Sequence, residues 1–458
     1  MSNHSVDQAQ EPVKPVIDEV EEILPAGKLM MLGLQHVLVM YAGAVAVPLV
    51  IGDRLGLSKE VVTLLISSDL FCCGIVTLLQ CIGIGKFAGI RLPVIMSVTF
   101  AAVTPMLAIG ANPDIGLMGI FGATIAAGVL TTLIVPLMGK LMPLFPNMVT
   151  GIVITSIGLS IMQVGIDWAA GGKGNPEYGH PLYLGISFAV LLSILFITKF
   201  CKGFLCNISV LLGIIFGFVL SLMCNEVSFD GYADAPWFKL VTPMALGTPT
   251  FEPISIITLS VVLLIVFIES MGMFLALGEI VGRPVGKDDI VRGLRVDGIG
   301  TIIGGLFNSF PHTSFSQNVG LVGVTKVHSR WVCVVSGFIL IIFGLLPKMA
   351  VVIASIPQFV LGGAGLVMFG MVLATGIRIL SRVDYSGNNY NLYIVAISLG
   401  VGLTPTLSGN FFAKLPMFLQ PLLHSGILLA TVSAVILNLF FNGYHPKKES
   451  PKKESPAT

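Results

Sequence analysis

Residues 311–326, PHTSFSQNVGLVGVTK, decide how the rest of the chain is read. Long apolar runs bracket them, and no Asp, Glu, Lys or Arg occurs between Asp297 and Lys326, which places the stretch at membrane depth. Yet Thr313, Ser314, Ser316, Gln317 and Asn318 crowd together behind Pro311, with Gly320 and Gly323 following, and this is a poor spanning helix. Inside hydrocarbon, backbone without helical hydrogen bonds persists only where protein buries it or where it lines a water-filled cavity. The stretch therefore reads as a binding site, and its side-chain amides imply a ligand with hydrogen-bonding edges.

Composition agrees with that depth. Of 458 residues, 55% are hydrophobic and only 11% charged, and the mean hydropathy is +0.93, far above a soluble globular protein. The chain is a multispanning membrane protein. Its net charge of +1 sits in short loops and tails with no basic face, so nucleic acid is not an expected partner. The seven cysteines have no metal-ligand spacing and read as reduced packing residues. There is no GxxxxGK[ST] loop, no paired metal or haem ligands and no GxSxG element. Neither a cofactor nor an enzymatic activity is expected, and an ion gradient, most simply of protons, is the expected energy source.

A span needs about 20 mostly apolar residues. That length places spans near 29–51, 60–83, 92–109, 115–138, 144–166, 181–199 and 205–224, then 254–280, 289–309, 313–326, 331–355, 358–378, 389–405 and 420–441. A polar connection, 225–252, separates the two sets, and the tail repeats PKKES at 446–450 and 451–455, expected to be disordered. The expected fold is all-α with 14 transmembrane segments, spans 3 and 10 being short and broken. With a cytoplasmic amino terminus the inner loops carry 12 Lys and Arg residues against six outside, and an even number of spans keeps both termini inside. Residues 92–113 resemble 311–326 in being uncharged, opening on a proline and carrying Ser97 and Thr99 in mid-stretch; laying Pro93 on Pro311 puts Thr99 on Gln317. Broken segments in corresponding positions of two halves mark a midplane site, and seven spans per half make the repeat inverted.

Several titratable residues lie inside these spans. Glu269, in VFIESMGMF, is mid-span, where a carboxylate is costly; it is a functional residue or, more blandly, a hydrogen-bond partner of a neighbouring helix. Asp297 has Arg295 nearby and fits a structural role or a proton relay. His36, beside Gln35, is either a packing residue or one that orders the cavity or links to protons. Asp69 is expected to be a structural partner of a backbone or hydroxyl group, and His312 to lie at the entrance of the key stretch.

At Gln317, Asn318, Gly320, Thr325 and Lys326 the chain resembles the signature of the nucleobase/ascorbate transporter family. The likeness extends through Gln35-His36, Ser97 to Thr99, Glu269 and Asp297 and covers about 30–442, nearest to the family's bacterial urate carriers. It implies that Glu269 and Gln317 hold a purine by its ring edges, that Asn318 shapes the pocket with Thr99 opposite, that His36 influences affinity and that Asp297 serves turnover. It also implies a core domain (28–140 with 253–356) moving against a gate domain (141–252 with 357–443), between a cytoplasmic tail at 1–27 and another at 444–458. A homodimer in lipid in the bacterial inner membrane goes with that. Xanthine-carrying relatives tend to have Asp where this chain has Met273, and Asn where it has Thr99. Without that anionic neighbour the pocket is less hostile to an anion such as urate, because like charges repel strongly at low dielectric. The expected function is import of urate by proton symport, with a broader purine-base (xanthine) symporter as the alternative. A passive anion channel is the rival of a different class.

Overall fold

The computed structural model describes residues 19–138, 144–229, 231–415 and 423–443. The expected disordered tail at 444–458, Asp230 and most of the amino-terminal tail lie outside them. In chain order the elements are α1 (Ala26–Arg54), α2 (Lys59–Ile82), β1 (Met96–Val98), a 3-10 turn (Phe100–Ala102), α3 (Val103–Gly110), α4 (Gly116–Ile134), α5 (Asn147–Ala169), α6 (Pro181–Phe200) and, after a single turn at Phe204–Asn207, α7 (Ser209–Met223). Then follow α8 (Pro253–Ile280), α9 (Lys287–Leu306), β2 (His312–Ser314), α10 (Ser316–Thr325), α11 (Arg330–Gly344), α12 (Pro347–Ala354), α13 (Gln358–Leu380), α14 (Tyr390–Leu407) and α15 (Gly426–Asn442).

Among the described residues eight helices are long and apolar enough to cross a membrane. A ninth span arises if α11 and α12, bent by 79° at the break before Pro347, count as one. Local sequence explains how several of the helices begin. α9 opens on Lys287, Asp288 and Asp289, so only its later turns are apolar. Proline occupies the first turn of α6, α8 and α12, where its missing N–H has no helical partner to lose. At the head of α8, Glu252 accepts the backbone N–H groups of Ile254 and Ser255 at 3.0 and 2.5 Å. Burial alone raises that carboxyl, and the bonds from Ser255 and Ile254 outweigh it and hold it below the ordinary carboxylate range.

The expected all-α fold needs one amendment. Spans 3 and 10 each begin as a three-residue strand, and the two strands pair antiparallel, with Met96 opposite Ser314, Ser97 opposite Thr313 and Val98 opposite His312. Further bonds flank the ladder, from Thr99 N–H to Pro311 O (3.0 Å) and from Phe315 N–H to Ile95 O (2.9 Å). Two short strands satisfy each other's backbone groups where neither can be a helix, which is what burial demands. The half-helices begin two residues after each strand, at Phe100 and Ser316. Structurally Thr99 therefore corresponds to Phe315, two residues from the Gln317 that alignment of the prolines selects.

Extensive packing joins α5 to α13, α2 to α11 and α4 to α9, and further contacts join α1 to α11, α4 to α8, α6 to α7 and α14 to α15. Glycines permit the closest crossings. A Cβ on Gly74 of α2 would lie 2.5 Å from the Gly337 carbonyl of α11, and one on Gly128 of α4 would lie 2.9 Å from the Gly298 carbonyl of α9. Between membrane helices, small residues replace hydrophobic drive with direct backbone contact.

One anchor lies at the end of this helical body. Arg330, at the start of α11, donates to Glu21 from Nη2 (2.6 Å) and Nε (2.9 Å) and to the Cys81 carbonyl from Nη1 (2.6 Å), while its own N–H bonds to Val20 O. Val20 is fully buried, so residues 19–22 are stitched across the ends of α2 and α11. Glu21 is 42% exposed, which discounts the ion pair, yet the Cys81 carbonyl is buried with it. Arg330→Ala is expected to cost about 2 kcal/mol, since one buried acceptor and one carboxylate lose their donor. Arg330→Lys recovers only part of that, because an ammonium lacks the fork. Thermal unfolding of the purified protein measures both, and an unchanged midpoint for Arg330→Ala rejects the anchor.

Candidate functional site

The strand pair positions the polar residues. Two hydroxyls reach Asp297 of α9: Ser270 Oγ of α8 donates to it at 2.5 Å, and Thr313, in the middle of β2, shares its one hydroxyl proton between Ser270 Oγ at 2.7 Å and Asp297 at 3.4 Å. Gln80 of α2 completes the set, donating to the other Asp297 oxygen at 3.4 Å and to Gly293 O at 3.2 Å. Asp297, Ser270 and Gln80 are fully buried. One carboxylate thus accepts from three side chains of three other segments, which is how a buried charge or acid is made tolerable. The neighbouring Arg295 takes no part; it is half-buried, donates to Phe87 O at 2.9 Å and stacks over that ring.

Asn318, in the first turn of α10, is fully buried and donates from Nδ2 to the His36 carbonyl (2.9 Å) and to His36 Nδ1 (3.0 Å). It thereby fastens α10 to α1, and its Oδ1 has no protein partner. His36 is buried as well, so the histidine and the asparagine form one unit. Gln317 and Ser316 are exposed, in contact with each other at 3.1 Å, on a helix whose first residue follows Phe315 with no capping side chain. The Asn318 N–H bonds back to the Phe315 carbonyl at 3.2 Å, which leaves the N–H groups of Ser316 and Gln317 and the Gln317 amide to meet a ligand, and the positive end of a helix favours negative charge. Thr99, 4% exposed, caps the opposite half-helix by accepting the Ala101 N–H at 3.2 Å.

Glu269 is partly buried and immediately precedes Ser270, and the helix that carries it packs on α10 and on β2. Met273, one turn later, is buried in an apolar cluster with Val319 and Val322 of α10. His312, read from the sequence as an entrance residue, is instead fully buried in β2. The strand pairing draws it inward, because alternate residues of so short a ladder point into protein on both faces. Asp69 accepts from Ser309 Oγ at 2.8 Å, as a structural partner of a hydroxyl would. Gln80 and Ser270 went unnamed in the sequence reading. The available signal was an amide deep in the apolar run LLQCI and a hydroxyl beside a mid-span glutamate.

The described geometry belongs to a known fold. The transmembrane domain of a cyanobacterial bicarbonate transporter, BicA, superposes with a TM-score of 0.57 at 15% identity, covering 91% of this chain and 98% of that one. The murine Solute Carrier 26 family member A9 anion transporter gives 0.62 at 10% identity, covering 96% and 77%. At such identities the likeness is one of fold. Sequence relatives are much nearer. The uric acid transporter UacT of Escherichia coli is 78% identical over 427 residues, 93% of this chain and 89% of that protein. The xanthine permease of Bacillus subtilis is 43% identical (92% and 96%), and the uric acid permease PucJ of the same organism 43% (92% and 94%). The Xan_ur_permease model, described as "Permease family", matches residues 27–411, and the chain belongs to that family, the nucleobase/ascorbate transporters, as a multi-pass membrane protein and a permease, not an enzyme.

Proposed function

We propose that this chain imports urate together with protons, its core (28–140 with 253–356) moving against its gate (141–252 with 357–443) so that one midplane site opens alternately to either side. The observation that carries the reading is the uncapped start of α10, with exposed Gln317 beside it, emerging from a strand pair tied through Thr313 to the Ser270–Asp297 network. Gln317 and Glu269 grip the purine edges, Asn318 and His36 set the wall behind them, and Thr99 faces the ligand from the other half-helix. Met273 leaves the pocket without a second carboxylate near Glu269, which suits an anion. Glu269 and Asp297 are the proton-coupling candidates. A helix N-terminus aimed at an anionic group and a broken helix at the repeat interface are how such carriers hold charged cargo.

Packing supports a seven-plus-seven inverted repeat with 14 spans. Contacts recur when spans are advanced by seven: α2 on α11 matches α9 on α4, and α1 on α11 matches α8 on α4. The names of UacT and PucJ, uric acid carriers, support the substrate, and that of the Bacillus xanthine permease supports the broader purine-base alternative. A homodimer in the inner membrane with both termini cytoplasmic completes the reading.

Uptake of labelled urate by cells lacking their own permease is the direct test. Accumulation is expected to collapse with an uncoupler, and a tenfold excess of unlabelled urate to compete better than the same excess of xanthine. Equal competition favours the purine-base symporter. Uncoupler-insensitive equilibration of urate rejects symport and indicates a passive channel.

A further inference from the structure

One buried polar cluster has no part in the site above. Asp69 and Cys73 lie one turn apart on α2 and face residues 309–312 of the segment that becomes β2. Ser309 Oγ donates to Asp69 Oδ1 at 2.8 Å, and Cys73 Sγ lies 3.8 Å from Oδ2. His312 Nδ1 lies 2.7 Å from the Phe310 carbonyl, so the proton of the neutral ring sits there and is donated to that oxygen. Nε2 is then a lone pair. It lies 3.8 Å from Asp69 Oδ1 and has no hydrogen-bond partner, although both side chains are fully buried.

Two acceptors pointing at each other in a sealed interior are an arrangement that folding avoids, since each has given up its bonds to water with nothing in return. The ring is also held in place: a Cβ on Gly304 of α9 would lie 2.9 Å from His312 Nδ1, so glycine is what admits it. A single proton between Nε2 and Oδ1 removes the mismatch. On Nε2 it creates an imidazolium beside a carboxylate, and on Oδ1 a carboxylic acid donating to the ring. In either form the pair passes from a net charge of −1 to zero, with no other bond made or broken.

The place of Asp69 in the fold gives this proton a use. α2 opens on Lys59-Glu60 and α9 on Lys287-Asp288, and the tenth residue after each lysine is Asp69 in one and Asp297 in the other. Each aspartate serves the strand pair from its own half, Asp297 through Thr313 and Asp69 through the adjacent His312. In the middle turns of the elements around the pair the other titratable groups are Cys72 and Cys73 of α2, Asp297 of α9 and Glu269 of α8; Lys59, Glu60 and Cys81 of α2, Glu279 of α8 and Lys287, Asp288, Asp289, Arg292 and Arg295 of α9 lie toward the helix ends, and α4 and β1 contribute none.

We propose that Asp69 and His312 form a proton-binding pair, separate from Asp297, that takes up and releases one proton in each transport cycle. This rests on the proton-symport reading, and the experiment keeps the two apart. Purified protein in weak buffer with a pH-indicating dye is mixed with urate, and the protons taken up per urate bound are counted. Wild type is expected to take up protons, and His312→Gln, which can accept but not hold a proton, to take up one fewer while binding urate within about threefold of wild type. Asp69→Asn is expected to behave likewise, and Cys73→Ser, which keeps a donor to Asp69, to match wild type. Should a single variant fail to assemble, the pair Asp69→Asn/His312→Gln, which leaves no ionisable group to bury, is read the same way. An unchanged proton count in the His312 variants overturns the proposal. No proton uptake by wild type overturns symport itself.

Discussion

Asp297→Asn is expected to leave the protein folded in the membrane and to lower urate uptake by about 100-fold, or ~2.7 kcal/mol in the transport barrier. The carboxylate accepts from Ser270, Thr313 and Gln80, two of them on one oxygen and the third on the other. An asparagine of the same shape offers one acceptor oxygen and one NH2 group. Turned with its NH2 toward Gln80, a donor meets a donor; turned the other way, the Ser270 and Thr313 hydroxyls must reverse to accept. In either case the charged acceptor is gone, and in a low-dielectric interior the loss is felt along the whole network. Thr313 belongs to the strand that leads into α10, while Asn318, which ties α10 to α1, is untouched. Urate binding, read as thermal stabilisation by urate, is therefore expected to change by less than about fivefold, whereas turnover fails. Uptake at the wild-type rate by a well-expressed Asp297→Asn protein rules out any role for the network in transport.

Glu269→Gln is expected to weaken urate binding by about 10- to 100-fold, because hydrogen bonds to a charged acceptor are worth ~1.5–3 kcal/mol and neutral ones about half as much. Gln317→Leu is expected to match it, removing an exposed amide from the first turn of α10. Glu269→Asp keeps the charge and withdraws it by one methylene, so partial recovery of affinity separates charge from reach. Equilibrium binding of labelled urate to purified protein measures all three. If Glu269→Gln binds as wild type does but no longer accumulates urate, Glu269 carries a proton and is no ligand. If both functions survive, the carboxylate is structural.

Asp69 and Asp297 illustrate how far linear order reaches. Each is visible in sequence as a carboxylate within an apolar run, and cost alone marks it for attention. What each one does depends on the partner it meets. Arg295, two residues away, is the obvious partner for Asp297 by proximity in the chain, and it turns outward to Phe87. Its true partners come from α2, α8 and β2, separated from it by up to 217 positions. His312 was misplaced for the same reason: only the pairing of Val98 with His312 reveals that it is enclosed.

Composition, hydropathy and the run 311–326 by themselves determined that this chain crosses a membrane many times and that two of its segments are broken and polar, because cost in hydrocarbon is counted over a window of neighbouring residues. The two-residue shift between the broken segments, the union of Ser270, Thr313, Gln80 and Asp297, and the unpartnered Nε2 of His312 were decided only by tertiary structure. Hydrogen bonds are satisfied across space, by whichever segments the helix packing brings within about 3 Å, and spacing along the chain carries no record of that choice.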